Sequence, residues 1–436
     1  MSPGPLMTRI ASSALPREAW RRNELAVNIA AGLVFFGFTL VMPFLPLYVE
    51  ELGVKGVGKI ALWSGILLSA PPLLAALLGP FWGRVGDRYG MKLMVGRVLT
   101  TMTVTWALMY FATNVYHVLA LRVLLGIFSG FSAMSAALVT QSCPRDRIGH
   151  AIGTLQATQI LSTAVGPFVG GVLYALVGIR NTFLLTSGCC IVALGLILIL
   201  YRDVERAPGD ERIFARRGPA GWRSEWTEMK RLPGYLAIIP YLFLVNLVDR
   251  SFPTVIPLLV QSMIGNFPKQ VATTSGIIVT SHALAAALSA FVLGRLVARV
   301  RPGPLIVAIL SGAGLVTLLM ILCRTPGQFL ALRVLAGFLA GGAVTLGYTV
   351  GGASIPPARR AYLYGILSST ALLGGAVGPL ASGVLVGLRL QTPFYAAAIT
   401  YLALVPWIFF RLSALPAVAS PAEPPPVVRT RPVNQA

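Results

Sequence analysis

The chain has 436 residues, of which 56 % are hydrophobic and 11 % charged, with a mean hydropathy of +0.77. Soluble domains carry about 25 % charged residues, so this composition excludes a soluble globular protein and indicates an integral membrane protein. The formal net charge of +21 raises nucleic acid as a partner, but the basic residues are spread over short loops rather than gathered in one stripe, so none is expected.

In chain order, residues 1–25 lack the short apolar core and small-residue cleavage site of a signal peptide. The first apolar run, Leu25 to Val49, is too long for one and is expected to remain as the first helix. Apolar runs between charges and Gly/Pro breaks predict twelve membrane spans, each near the 20 residues that cross a bilayer. They fall at 26–50, 59–82, 93–112, 117–141, 149–177 and 180–200, then at 235–264, 270–293, 304–323, 327–351, 361–388 and 392–411. The expected division is a cytoplasmic segment 1–25, a six-helix bundle 26–200, a linker 201–234, a second bundle 235–412 and a disordered Pro/Ala-rich cytoplasmic tail 413–436. The linker holds eight Lys/Arg and six Asp/Glu, with a surface helix expected around Trp222 to Arg231.

With the N-terminus inside, 26 of the 35 Lys/Arg lie on the inner side, counting Arg97 and Arg411 near the inner ends of their spans, six lie outside (Lys55, Lys59, Arg180, Lys269, Arg324, Arg389) and three fall deeper within spans. That asymmetry predicts both termini in the cytoplasm. The two halves also repeat. Leu119-Ala120-Leu121-Arg122-Val123-Leu124 returns as Leu330-Ala331-Leu332-Arg333-Val334-Leu335, an offset of 211. Pro46 returns as Pro257 and Gly83-Arg84 as Gly294-Arg295 at the same offset, and Val165-Gly166-Pro167 as Val377-Gly378-Pro379 at 212. Six helices per half in the same orientation is a parallel repeat about an axis along the membrane normal, with substrate bound midway across the membrane between the halves.

Signatures of soluble enzymes are missing: no Gly-x-Ser-x-Gly, no His-Glu-x-x-His and no phosphate loop. No catalytic residue, cofactor or metal site is expected. The four cysteines show no metal spacing and no disulfide framework and read as small buried side chains. One carboxylate lies within the spans, away from their ends: Asp249, beside Arg250 in span seven. Fourteen residues in from Tyr235, it sits roughly 21 Å deep. Charges there are costly and face a bundle interior or a wet cavity. At helical spacing Asn246, Asp249, Arg250, Pro253 and Pro257 share an arc of about 100°, expected to line the central cavity. Asp249 is the candidate proton carrier, with Arg250 or a neighbouring helix tuning it; the competing reading is a structural ion pair. Arg122, five residues into span four and followed by Gly126 and Gly130, is the second buried charge, repeated as Arg333-x-x-x-Gly337 in span ten. Without a functional role it reads as an anchor snorkelling to the outer surface. His282, mid-span in span eight, could titrate or bind substrate, although a lone histidine more often serves packing. Pro46 and Pro257 are further cavity candidates. Glu50 and Glu51, at the outer rim, read as solvated.

Between spans two and three lies Gly83-Arg84-Val85-Gly86-Asp87-Arg88-Tyr89-Gly90-Met91-Lys92, read as a tight, charged surface loop and latch. Its Gly-x-x-x-Asp-Arg-x-Gly-x-Lys pattern resembles the signature loop of the major facilitator superfamily of secondary transporters, with Met91 where that family usually has a basic residue. The resemblance implies that Gly83, Asp87, Arg88, Gly90 and Lys92 grip the other bundle in the outward-open state. The second half keeps Gly294, Arg295 and Arg299 but has Ala298 in place of the aspartate, so one half holds the latch. Arg122-x-x-x-Gly126 resembles the family's helix-four motif, where the arginine is linked to coupling. Gly166-Pro167-Phe168-Val169-Gly170-Gly171 resembles the helix-five motif of its drug:proton antiporter branch, with Ser162 where that motif begins with glycine. The Pro-x-x-Pro run Pro43 to Pro46 also looks like that branch. The family implies an all-helical, twelve-span fold working by alternating access. The specific expectation is a monomeric, proton-coupled exporter of drugs or other lipophilic molecules in the plasma (inner) membrane, contacting lipid, protons and a small-molecule substrate. The alternatives are an exporter or proton symporter of a sugar or other metabolite, and a non-transporting membrane sensor.

Overall fold

The computed structural model describes residues 17–144, 147–202, 232, 235–296, 300, 302–353, 355 and 360–412, without the side chains of 17–19, 87, 360–362 and 412. The linker helix expected at Trp222 to Arg231, the tail after Leu412 and Val297 to Arg299 lie outside the described residues, as does the side chain of Asp87.

Among the described residues, eleven helices are long and apolar enough to cross a membrane. One of them, Ile148–Leu200, spans 53 residues and is broken at Gly178, whose φ of 80° and ψ of 163° are non-helical. A β-carbon makes that φ costly, so glycine stands at the turn. The break makes twelve spans: span 1 (Trp20–Glu51), span 2 (Val57–Gly86), span 3 (Met91–Tyr110), span 4 (Val115–Ser142), spans 5 and 6 within Ile148–Leu200, span 7 (Tyr235–Thr254), span 8 (Pro268–Leu296), span 9 (Pro302–Leu322), span 10 (Pro326–Ala353), span 11 (Leu363–Val386) and span 12 (Thr392–Arg411). The expected gap between 177 and 180 coincides with Gly178. Span 1 packs into the bundle: Val27, Ala30 and Ala31 are fully buried.

Three local readings need correction. Gly83 to Lys92 is not a ten-residue loop: the span 2 helix continues to Tyr89, and span 3 begins at Met91. The turn is Gly90 alone, with φ of 93°, because Gly83 and Gly86 adopt helical geometry and only Gly90 leaves it. Second, no single helical face carries Asn246 through Pro257. The helix ends at Ser251, a 3-10 turn covers Phe252–Thr254, and a new helix runs Ile256–Ile264. Pro253 has no N–H to continue the ladder, so the register is reset before Pro257. Span 1 breaks in the same way at Met42–Phe44, around Pro43. Third, of the cysteines only Cys143 and Cys190 are buried; Cys189 and Cys323 are half-buried.

Lipid removes the hydrophobic drive that packs soluble helices, so close backbone approach over small residues carries the packing. The two halves meet along two such seams. In one, span 5 packs on span 8: a β-carbon on Gly171 would stand 2.7 Å from the Ala272 carbonyl oxygen, and one on Gly276 would strike the Pro167 carbonyl. In the other, span 11 packs on span 2, Gly383 against Ala61 and Gly65 against the Pro379 carbonyl. Hydrogen bonds cross both seams, and in the first Thr273 Oγ1 also donates to the Gly171 carbonyl at 3.5 Å. The Phe168 N–H donates to Thr280 Oγ1 at 2.9 Å, and the Leu380 N–H donates to Ser69 Oγ at 3.1 Å. Both amides follow a helix proline. These contacts lie in the part of each span nearer the Glu51 end of span 1. Toward the other end, Gly79 and Gly83 of span 2, Gly149 and Gly153 of span 5, Gly294 of span 8 and Gly365 of span 11 have no atom within 4 Å of a would-be β-carbon. The close backbone contacts these glycines make between the halves therefore lie at the Glu51 end.

Candidate functional site

The site is built where spans 7, 8 and 10 meet. Asp249 lies on the last full turn of span 7 before the proline break. Its Oδ1 stands 2.9 Å from His282 Nε2, and the opposite ring nitrogen, Nδ1, stands 3.2 Å from the Arg333 carbonyl oxygen. His282 reaches that carbonyl because Gly337, one turn on from Arg333, has no side chain. A β-carbon there would strike the His282 carbonyl and stand 2.9 Å from Nδ1. Arg333 is 2 % exposed, and its guanidinium lies 4.5 Å from the Phe252 ring centroid, a cation–π contact. The Asp249 side chain is 26 % exposed and that of His282 11 %, so the carboxylate is the member of the pair with access. The sequence reading singled out Asp249, His282 and Arg333 separately; the structure brings them together.

Arg250 makes no hydrogen bond in this group, although its charge acts on Asp249. It is exposed and packs along Gly375 of span 11, whose β-carbon would lie 3.2 Å from Arg250 Cγ. Asn246 is half-buried and spends its side-chain N–H on the Leu242 carbonyl of its own helix. Pro46 and Pro257 are buried.

Arg122 is fully buried, which rules out snorkelling. Its guanidinium lies 5.1 Å from the Trp106 ring centroid, and Nη2 donates to Met42 Sδ at 3.1 Å; Nε and Nη1 have no hydrogen-bond partner. Trp106 is itself fully buried between Phe38 and Phe183. The cage is aromatic and thioether, without a carboxylate.

In span 5 the Gly-Pro-x-x-Gly-Gly residues divide by face. Gly166 and Gly170 sit against Thr39 and Leu40 of span 1, within the first half; Pro167 and Gly171 face span 8 of the other half. Lys92, at the start of span 3, donates to the Tyr201 carbonyl at 2.8 Å and ties off the end of span 6 in its own half. The Arg88 guanidinium lies 5.5 Å from the Tyr89 ring centroid.

Sequence reasoning missed three contacts. Arg97 stacks 3.4 Å from the Trp82 ring centroid. The glutamates at the end of span 1 are not simply solvated: Glu50 accepts from Gln261 Nε2 at 3.2 Å across the halves, and Glu51 accepts from Tyr174 at 2.9 Å. The first of these had a signal in the sequence, because Glu50 and Gln261 are themselves 211 residues apart.

Comparison with known proteins agrees with this architecture. The Major Facilitator Superfamily profile matches residues 27–272 and 269–435. The multidrug resistance protein MdtG of Escherichia coli is 31 % identical over 406 residues, 92 % of this chain and 97 % of that protein. MdtG of Rahnella sp. is 33 % identical over 318 residues, covering 73 % and 76 %. Among solved structures, a bacterial homologue of the human lysosomal transporter Spinster in an inward-facing, occupied conformation gives a TM-score of 0.69 at 15 % identity, covering 92 % of this chain and 96 % of that one. The nucleoside transporter NupG gives 0.67 at 13 % identity, covering 90 % and 99 %. Twelve helical spans, a repeat at a constant offset and a full-length profile match lead to one conclusion: the chain belongs to the Major Facilitator Superfamily, a superfamily of membrane transporters rather than enzymes.

Proposed function

We propose that this protein is a secondary active transporter that exports drugs or other lipophilic small molecules in exchange for protons, by rocking its two halves about a central site. The observation that carries the reading is the 31 % identity to a multidrug resistance protein along almost the whole length of both chains. Two features support it. The spans hold few charges, which suits lipophilic cargo. They also hold one buried acid, Asp249, in contact with a histidine, the chemistry a proton carrier needs. The excess of Lys/Arg on one side supports cytoplasmic termini and insertion in the inner membrane. With that orientation, the end where the halves pack closely faces away from the cytoplasm. Residues 26–200 and 235–412 are then the two rocking units, and the turn at Gly90 with Asp87, Arg88 and Lys92 is a latch closing the cytoplasmic side.

The test is transport by the purified protein in proteoliposomes under an imposed pH gradient, comparing lipophilic cations with neutral sugars. Export predicts that lipophilic compounds move against the direction of proton flow. Movement of substrate together with protons would replace exchange with symport.

A further inference from the structure

The 211-residue repeat does more than relate helices; it superposes the surroundings of the two buried arginines. Arg122 corresponds to Arg333 and Gly126 to Gly337. Gly126 packs on Pro71, as Gly337 packs on His282, and 71 and 282 differ by 211. Phe38, which packs edge-on to Trp106 beside Arg122, corresponds to Asp249. One half therefore has Phe38, Pro71 and an arginine where the other has Asp249, His282 and an arginine. The framework is shared, but titratable chemistry exists only in the second copy.

The hydrogen bonds determine what that chemistry holds. A backbone carbonyl only accepts, so His282 Nδ1 carries a hydrogen toward Arg333 O. The 2.9 Å contact of Nε2 with Asp249 Oδ1 then needs one hydrogen between them. Either the imidazolium donates to the carboxylate, or the carboxylic acid donates to the neutral ring. Both forms contain the same single proton, and the pair is neutral in both. If that proton leaves to water, the carboxylate faces the Nε2 lone pair and the contact is repulsive. Asp249 is then drawn toward the cations around it: Arg250 on its own span and Arg333 on span 10. Tyr401 of span 12 also faces it, and span 11 presents glycines to this stretch of span 7.

We propose that Asp249 and His282 form one proton-binding site, loaded with a single proton in this conformation, and that span 8 carries its occupancy to the closed seam between the halves. The second clause follows from position. Thr280, two residues before His282, receives the cross-half hydrogen bond from Phe168, and Gly276 and Ala272, further along the same helix, pack on Pro167 and Gly171. Unloading frees span 8 from span 7 on one face while its other face still holds span 5. The inference rests on the exchange reading above and names its proton site.

Potentiometric titration of the purified, detergent-solubilised protein tests it without needing the cargo. Between about pH 5 and 9, Asp249→Asn and His282→Gln should each bind one proton fewer than wild type. The double variant should also bind one fewer, not two, because both groups serve one proton. A loss of two in the double variant, or no loss in either single variant, overturns the proposal. Asp249→Glu should keep the proton, which separates loss of the site from loss of fold. In proteoliposomes Asp249→Asn preserves the contact, its amide donating to Nε2, but cannot release a proton. Gradient-driven accumulation should then be lost. If wild type and Asp249→Asn are driven equally by the gradient, the site is wrong and the exporter reading stands. If the gradient does not drive wild type, the exchange reading fails.

Discussion

At the scale of single residues, the two buried arginines show how one motif serves two ends. A buried charge in a membrane protein is held by carboxylates, carbonyls or aromatic faces. Arg333 has the Asp249–His282 pair nearby and lies over Phe252. Arg122 has Trp106 and the Met42 sulfur, and two of its nitrogens have no partner. The stacking depends on a planar guanidinium, which an ammonium does not reproduce. Arg122→Lys should therefore reduce transport by about tenfold, equivalent to ~1.4 kcal/mol, with protein level in the membrane unchanged. Wild-type transport in that variant would make Arg122 an interchangeable positive charge. Asp249 was legible in the sequence because it is the one carboxylate deep in a span. Its partner was not, because His282 is 33 residues away on another helix, and which faces of two helices meet is set by packing that no local pattern encodes. The repeat did hold the information: the arginine and glycine that frame His282 stand at the same offset as their counterparts.

At the scale of helices, glycine position separates stability from switching. Gly170 packs on Leu40 within the first half, and a β-carbon there would strike the Leu40 carbonyl. That contact lies inside one bundle, so it persists whichever way the halves lean. Gly276 packs on Pro167 across the halves, a contact that exists only while this seam is closed. Gly170→Ala should lower thermal stability in detergent by several degrees, a cost of 1–3 kcal/mol for forcing a methyl into a packed interface. Gly276→Ala should leave stability nearly unchanged and shift the population away from the conformation described. Thiol labelling of a single cysteine, Thr273→Cys, which faces the Gly171 carbonyl across the seam, reads this shift: labelling should rise several-fold in Gly276→Ala and not in Gly170→Ala. Equal labelling in both would mean that the span 5–span 8 seam does not open. Helix existence and breaks were legible because about twenty apolar residues and a turn glycine are local signals. The face of span 7 beyond Ser251 was misread because a constant 100° per residue was carried through Pro253, where the helix stops.

At the scale of the whole molecule, the closed end is itself a product of the repeat. Phe168 and Leu380 are equivalent at 212, Ser69 and Thr280 at 211, and Gly171 and Gly383 at 212. The two seams are thus one seam used twice, and each half offers both an amide that follows a helix proline and a hydroxyl. Glu50 and Gln261 sit where the two copies face each other, so that a residue meets its own counterpart. The pairing is unlike with like position: a carboxylate on one copy, an amide donor on the other. Two carboxylates there would repel, and two amides would bind more weakly than a charge-assisted pair. Because this contact joins the halves at the Glu51 end, tying it should block every cycle that requires the end to open. With Cys143, Cys189, Cys190 and Cys323 replaced, Glu50→Cys and Gln261→Cys joined by a short cleavable bis-thiol reagent should abolish transport, and cleavage should restore it. Either cysteine alone should respond to the reagent by less than twofold. Transport that continues while the tether is intact would mean that substrate passes without separation of the Glu51 end, and rocking of two rigid halves would be the wrong description of this molecule.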